Sequence, residues 1–488
     1  MSIASTPPTP SRRTAPLAQA RDHLRAVPPL GTPGTGSALP AVVSAGLSVP
    51  TLTGTVDYAN FDHAASTPAL LSVKRAVDTA LRTYSSVHRG NGYASRVTTA
   101  WYEEAREEVR TFVGARPDDE VVFTRNSTDS FNLLARAVPR QTSVFVFETE
   151  HHAALLPWAA ARTHRLPVPG SVRDAQALLR AALRSDHARH KLVVLAGASN
   201  VTGEIWPVRE LASIARRHGA RVVLDAAQYA PHRPLDLAEL GVDYAVLSGH
   251  KLYAPFGTGV LVGRRDWLDA AAPYLAGGGA TRSVTEAGVV WQDGAARHEA
   301  GSPNVIGAIA LAAACSALRT HAEAVEEHEA TLGGTLARGL AAIEGVETYS
   351  LFSPDHERVA VATFTIEGLD SSLVSTALSA EYGIGVRDGK FCAHLCVDAL
   401  LEDALDPLDT LDSEDDDDSD HSDDAARPAP RTAVRASVGL ANTAEHVDRL
   451  LSAVAELAEH GPRGDYTRTP DGWVLADDPR DSTPARPW

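Results

Sequence analysis

From Asp57 onward, short apolar runs rich in β-branched residues alternate with segments of helical period. EVVFT (120–124), SVFVF (143–147), KLVVLA (191–196), RVVLD (221–225) and YAVLS (244–248) carry apolar residues on successive positions. Continuous runs of this length predict strands covered on both faces. GTGVLVG (257–263) supplies another, and stretches such as Val208–His218 have helical spacing between them. Strand, helix, strand in this order predicts parallel βαβ units and an α/β layered domain.

After a helical region around Asn304–Leu340 the pattern changes. RVAVATFTI (358–366), YGIGVRD (382–388) and TAVRASVGL (432–440) alternate with helices, among them TAEHVDRLLSAVAEL (443–457). That predicts a smaller α+β domain. The expected organisation is a disordered extension over 1–50, a large domain over 51–325, a small domain over 326–460 and a flexible tail over 461–488. An acidic low-complexity insertion over 398–431 interrupts the small domain. Arg12–Arg13 precede no hydrophobic segment of a signal, so a disordered extension or an organellar transit peptide are the readings of the first 50 residues.

Composition adds limits. The chain has 488 residues, 44% hydrophobic and 22% charged, as ordinary globular proteins do. The net charge of −17 is local: fourteen acidic residues and no Lys or Arg lie between Asp398 and Asp424, and setting them aside leaves −3. No basic stripe favours nucleic acid. No apolar run approaches a membrane span. Three cysteines, Cys315, Cys392 and Cys396, make no disulfide framework, which points to a reducing cytoplasm. The acidic run reads as a solvated loop, or as a docking surface for a basic partner.

Several strands end in polar residues, where an open parallel sheet places its ligands. Strand 221–224 ends in Asp225 with Gln228 beyond. Strand 244–247 runs into Ser248, His250 and Lys251, strand 120–124 into Ser127 and Thr128 at a helix start, strand 143–147 into His151, and strand 191–196 into Asn200. Each has a bland reading as a cap, turn or surface residue. Together they supply what pyridoxal 5'-phosphate requires: an amine for a Schiff base (Lys251), a carboxylate for the ring nitrogen (Asp225), a helix N-terminus with hydroxyls for the phosphate (Ser127, Thr128), a flat ring to stack (His151), and a donor to the phenolate oxygen (Gln228 or Asn200).

The segments SVHRGNGYAS (86–95), FTRNSTDSFNL (123–133), ETEHHAALLPW (148–158), LDAAQYAPH (224–232), SGHKLYAPFGTGVL (248–261), HEAGSPNVIGAIAL (298–311) and RASVGLANTAEHVDRL (435–450) carry a more specific likeness. Over roughly 57–457 the chain resembles the class V aminotransferase family of fold-type I pyridoxal-phosphate enzymes, and within it the group II cysteine desulfurases and selenocysteine lyases. The resemblance implies a mainly parallel seven-stranded sheet in the large domain. It also implies a homodimer with shared sites, a small amino-acid substrate and a sulfur-acceptor protein. It assigns Lys251 as the Schiff-base lysine, Asp225 and Gln228 to the ring nitrogen and phenolate oxygen, and His151 to stacking. Thr128, Ser248 and His250 would contact the phosphate, with Ser302 contributed by the neighbouring subunit. Arg435 would hold the substrate carboxylate, with Arg387, His88, Arg89 and Asn200 on the substrate side.

RDGKFCA (387–393) matches the thiol loop of the group II enzymes, with Cys392 as the nucleophile that takes up sulfur and Lys390 and His394 as neighbours that lower its pKa. Read without the family, Cys392 is a buried small hydrophobe. The sequence departs from the pattern in CAHLC, in the Lys-Phe before the cysteine and in the acidic insertion. An aminotransferase, epimerase or β-lyase without thiol chemistry, or an inactive interaction scaffold, are the alternatives. Two candidate ligands, His394 and Cys396, make no metal site.

Overall fold

A computed structural model of the chain describes residues 39–402, 432–470, 472–480 and 486. The expected disorder of residues 1–38 and most of the acidic insertion, 403–431, lie outside the described residues. Residues 398–402 belong to an ordered helix, His394–Glu402.

The large domain is built on seven strands: β1 (Asp119–Thr124), β2 (Ser143–Phe147), β3 (Thr163–Leu166), β4 (Lys191–Ala196), β5 (Ala220–Asp225), β6 (Tyr244–Ser248) and β7 (Gly259–Arg264). Their order is β1-β7-β6-β5-β4-β2-β3, and β7 alone runs antiparallel to its neighbours. The sheet is therefore mainly parallel and seven-stranded, as expected. Every residue of β2 and β6 is buried, because helices cover both faces. β3, with the sequence THRL, has no apolar run to announce it; it is a half-exposed edge strand.

The small domain has a four-stranded antiparallel sheet of β8 (Val346–Thr348), β9 (Val361–Ile366), β10 (Arg387–Gly389) and β11 (Ala433–Ser437), in the order β8-β9-β11-β10. The segment 382–388 is not one strand. Gly383, at φ 64°, ends helix Ser371–Tyr382; Ile384–Gly385 then pairs in parallel with Ala59–Asn60, and Arg387–Gly389 pairs with β11.

The cores shift the expected domain limits. Helix Ala322–Ala341 crosses the 325/326 boundary: Val325 packs in the large core, whereas Leu332, Leu336 and Leu340 pack in the small one. Ala59 and Phe61 join the small core, and Val42 of the expected extension is buried in the large core. Nor is the C-terminal region wholly a flexible tail. Tyr466–Thr469 and Gly472–Leu475 form a hairpin on helix Ser371–Tyr382, where Tyr466 donates to Glu381 at 2.8 Å and Thr376 donates to the carbonyl of Trp473 at 3.1 Å. Two aromatic residues and a complementary carboxylate outweigh the Pro- and Asp-rich composition around them.

The two domains are joined by the turn after β4. Gly203, at φ 76°, brings its backbone against the carbonyls of Val359 and Val361, where a Cβ would sit 2.7 Å from the first. The fully buried Glu204 carboxylate accepts the backbone N–H groups of Leu351, Phe352 and Ser353. Glu204→Ala leaves these donors without an acceptor and is expected to destabilise the protein by about 3 kcal/mol in urea titration; Glu204→Gln should lose less. An alanine variant as stable as the parent would remove Glu204 as the tie between domains.

Candidate active site

The C-terminal edge of the sheet converges on a cavity of about 240 Å³. β5 delivers Asp225, and a single turn after β6 delivers His250 and Lys251. β2 leads into Thr149, Glu150 and His151, and the turn after β4 brings Ser199 and Asn200. The small domain closes the cavity with Arg387, Phe391, Cys392 and Arg435.

Lys251 reaches the cavity with its amine enclosed by protein. Burial draws its pKa down to about 8, with Arg435 acting in the same direction and Asp225 opposing. Burial pushes the Asp225 carboxyl up, while the N–H of Ala227, donating to Oδ1 at 3.0 Å, and the Lys251 charge pull it down. His151 caps the short helix His152–Leu155: its Nδ1 accepts the N–H of Ala153 at 3.0 Å, which places the ring proton on Nε2. Burial, then the Lys251 charge, lowers its pKa to about 3, so the ring is neutral. Gln228 donates to the Ala64 carbonyl at 2.7 Å and stands on the same wall.

At one end lies the start of helix Ser127–Ala137. Asn126, not Ser127 or Thr128, is its cap, accepting the N–H of Asp129 at 3.0 Å. Ser127 and Thr128 are therefore the first helical residues, with backbone N–H groups that have no acceptor within the helix. Gly259 lets β7 run beneath this turn, since a Cβ there would lie 2.6 Å from the Asn126 Cα. Ser248, at the end of β6, is buried, and its hydroxyl has no partner among the described residues.

At the other end Arg435 is buried. It donates through Nη1 to the Asn200 carbonyl at 2.8 Å and through Nη2 to Asp62 at 3.3 Å, beneath the Phe391 ring at 4.9 Å. Burial lowers its pKa to about 10, which leaves it a cation. Arg387 is its direct cross-strand neighbour. Phe391 and Cys392 both have left-handed backbone, φ 50° and 55°, which is uncommon for such residues. Two hydrogen bonds hold them: Asn200 Nδ2 donates to the Phe391 carbonyl at 2.8 Å, and the His152 N–H donates to the Cys392 carbonyl at 2.8 Å. Cys392 is exposed and lines the cavity, so it is not an inert core cysteine. Lys390, expected to act on the thiol, instead pairs with Asp398, one turn into the following helix. The His394 ring meets His152 edge-on at 4.6 Å.

Four sequence candidates do not line this cavity from their own chain, Ser248, which is buried, among them. Ser302 is exposed elsewhere, His88 bonds Glu103 at 2.8 Å, and Arg89 lies against Gly279. Conversely, Glu150, Thr149, Phe391 and Trp206 line the cavity without having been singled out; only the position of Glu150 before the two histidines hinted at it.

Residues that line this cavity carry buried polar atoms without a partner among the described residues, including Thr149 Oγ1, Glu150 Oε2 and Arg435 Nε. A carboxylate, an amine, a neutral imidazole, amide donors and a helix N-terminus fit the charge pattern of pyridoxal phosphate. A mainly parallel seven-stranded sheet with a lysine just beyond its C-terminal edge, closed by a second α+β domain, has the architecture of the fold-type I pyridoxal-phosphate enzymes. Residues 59–450 match the family described as Aminotransferase class-V, and the chain belongs to that family.

A probable cysteine desulfurase of Halalkalibacterium halodurans is 34% identical over 342 residues, covering 68% of this chain and 83% of that one. A second, of Vibrio cholerae, is 32% identical over 382 residues, with 76% and 86% covered. Among solved structures, the cysteine desulfurase CsdA of Escherichia coli superposes with a TM-score of 0.68 at 30% identity, covering 82% of this chain and 95% of its own. The apo cysteine desulfurase of Thermococcus onnurineus gives 0.71 at 29%, with 86% and 99% covered.

In the cofactor-free protein, labelling of Lys251 by a small amine-reactive reagent, read by mass spectrometry, should reach half its maximum near pH 8. Asp225→Asn removes the charge that favours the ammonium and should move that midpoint lower. A midpoint unchanged or raised in the variant would contradict the electrostatics described.

Proposed function

We propose that the protein is a pyridoxal-phosphate-dependent cysteine desulfurase that converts L-cysteine to L-alanine and carries the sulfur as a persulfide on Cys392. The observation that carries this reading is that Cys392 lines the same cavity as Lys251, Asp225, His151 and Arg435. Aminotransferase, epimerase or β-lyase chemistry would use the same lysine and require no thiol there.

The bound cofactor supplies an electron sink for the substrate α-carbon. Lys251 would hold the cofactor covalently, Asp225 would face its ring nitrogen, the neutral His151 would stack on the ring, and Gln228 or Asn200 would donate to its phenolate oxygen. Ser127, Thr128, Ser248 and His250 would hold the phosphate, joined by Ser302 of a second copy in a homodimer. Arg435 binds the substrate α-carboxylate with Arg387 beside it, its planar fork suiting two oxygens. With a pKa near 8, Lys251 is partly unprotonated at neutral pH and suited to move the α-proton. Cys392 Sγ attacks the substrate sulfur; the substrate C–S bond breaks and an S–S bond forms. A thiol plus cysteine thereby gives a persulfide plus alanine, with no external oxidant. The substrate is a small amino acid, and a sulfur-acceptor protein in the cytoplasm would take the persulfide sulfur onward.

Incubating the purified protein with L-cysteine and measuring alanine and protein-bound persulfide tests this. Cys392→Ala should reduce both by at least about 100-fold. Cys396→Ala should leave both near the parent level, because burial in an apolar cluster pushes that thiol up to about 12. Alanine formation undiminished in Cys392→Ala would rule out the persulfide route. Lys251→Ala should abolish the visible absorbance band that the parent acquires with pyridoxal phosphate; a retained band would shift the Schiff-base assignment elsewhere.

A further inference from the structure

Glu150 has no part in the chemistry above, yet it is 1% exposed and lines the cavity. Its Oε1 accepts the N–H of Ala196 at 2.8 Å, its Oε2 has no partner, and no ion pair reaches it among the described residues. Ala196 is the register partner of Asp225 on the adjoining strand, so the backbone N–H that holds Glu150 lies beside Asp225, and both carboxyl groups line the same cavity. Asp225 from β5 and Cys396 from helix His394–Glu402 are the titratable groups that face Glu150.

Two buried carboxyl groups that line one cavity and act on each other electrostatically do not readily both ionise, because each charge is desolvated and repels the other. Their surroundings decide which one keeps the proton. Asp225 has the Ala227 N–H and the Lys251 cation to stabilise its anion; Glu150 has one N–H and no cation. We infer that Glu150 is the proton-bearing member of a carboxyl pair with Asp225, a positioning residue that leaves Asp225 as the single anion beneath the cofactor ring. The inference rests on the cofactor reading of the same cavity. The pH dependence has the matching sign: burial and the Asp225 charge raise the Glu150 pKa to about 8, far above a free glutamate. Folding must therefore retain a proton that the unfolded chain releases, and the parent loses stability as pH rises from the ordinary glutamate range toward 8. Asp225 titrates in the same direction, but it is common to parent and variant and cancels in their difference.

Thermal unfolding of the full chain, with bound pyridoxal phosphate and after its removal, tests the proton. Glu150→Gln, a permanently neutral isostere, should gain Tm over the parent by an amount that grows by several degrees between pH 5 and pH 8. A difference that does not grow with pH in the cofactor-free chain would overturn the inference. Cofactor affinity supplies a second reading: Glu150→Leu should bind pyridoxal phosphate about tenfold more weakly, and Glu150→Gln should recover most of that loss. Equal weakening in both variants, or none in Glu150→Leu, would also overturn it. Failure of the parent to bind pyridoxal phosphate would instead sink the proposed function, leaving the thermal series to decide the proton.

Discussion

The arrangement of the site depends on burying the Arg435 guanidinium at the junction of the two domains. Removing such a group from water costs several kcal/mol and is repaid only where its donors find acceptors. Arg435 finds them on three separate segments: the Asn200 carbonyl of the large domain, the Asp62 carboxylate of the N-terminal linker, and the face of Phe391 beside the thiol. Asn200 answers with its own side chain, which holds the Phe391 carbonyl. One cation thus ties the large domain, the Asp62 segment and the backbone of the Cys392 loop together.

From this follows a division of labour. The large-domain sheet supplies Asp225, Lys251 and His151 on rigid strand ends and tight turns, which favours precise placement. The thiol sits on a loop whose left-handed residues are held, among the described residues, by two hydrogen bonds, from Asn200 and His152. The charges are graded in the same way. His151 is kept neutral, Lys251 is held near its titration point, and Arg435 remains a cation although buried.

The apolar runs made β1, β2 and β4 to β7 legible, since a strand covered on both faces has to be apolar at every position. β3 was not, because an edge strand tolerates His164 and Arg165. Polar residues at the strand ends marked Asp225, His151, Asn200 and Lys251, and the structure brings these around one cavity with Arg435 and Cys392. His88, Arg89 and Ser302 were read from motifs alone and stand apart from that cavity within the chain. The same limit applies to Lys390, whose proximity to Cys392 in sequence said nothing of its pairing with Asp398. Domain edges were blurred because Helix Ala322–Ala341 and the strand at Ala59–Asn60 each serve a core that composition cannot assign.

By itself the sequence determined the layered α/β order, the small α+β domain and the chemical types gathered at the strand ends, because periodicity and residue identity are local properties. Only the tertiary structure decided which carboxyl stands beside which, that Asn126 rather than Ser127 caps its helix, and that Cys396 is sealed in an apolar cluster while Cys392 faces the cavity. Those outcomes depend on burial and on distances between segments up to hundreds of residues apart. Such distances exist only once the buried cations and carboxylates have found their partners.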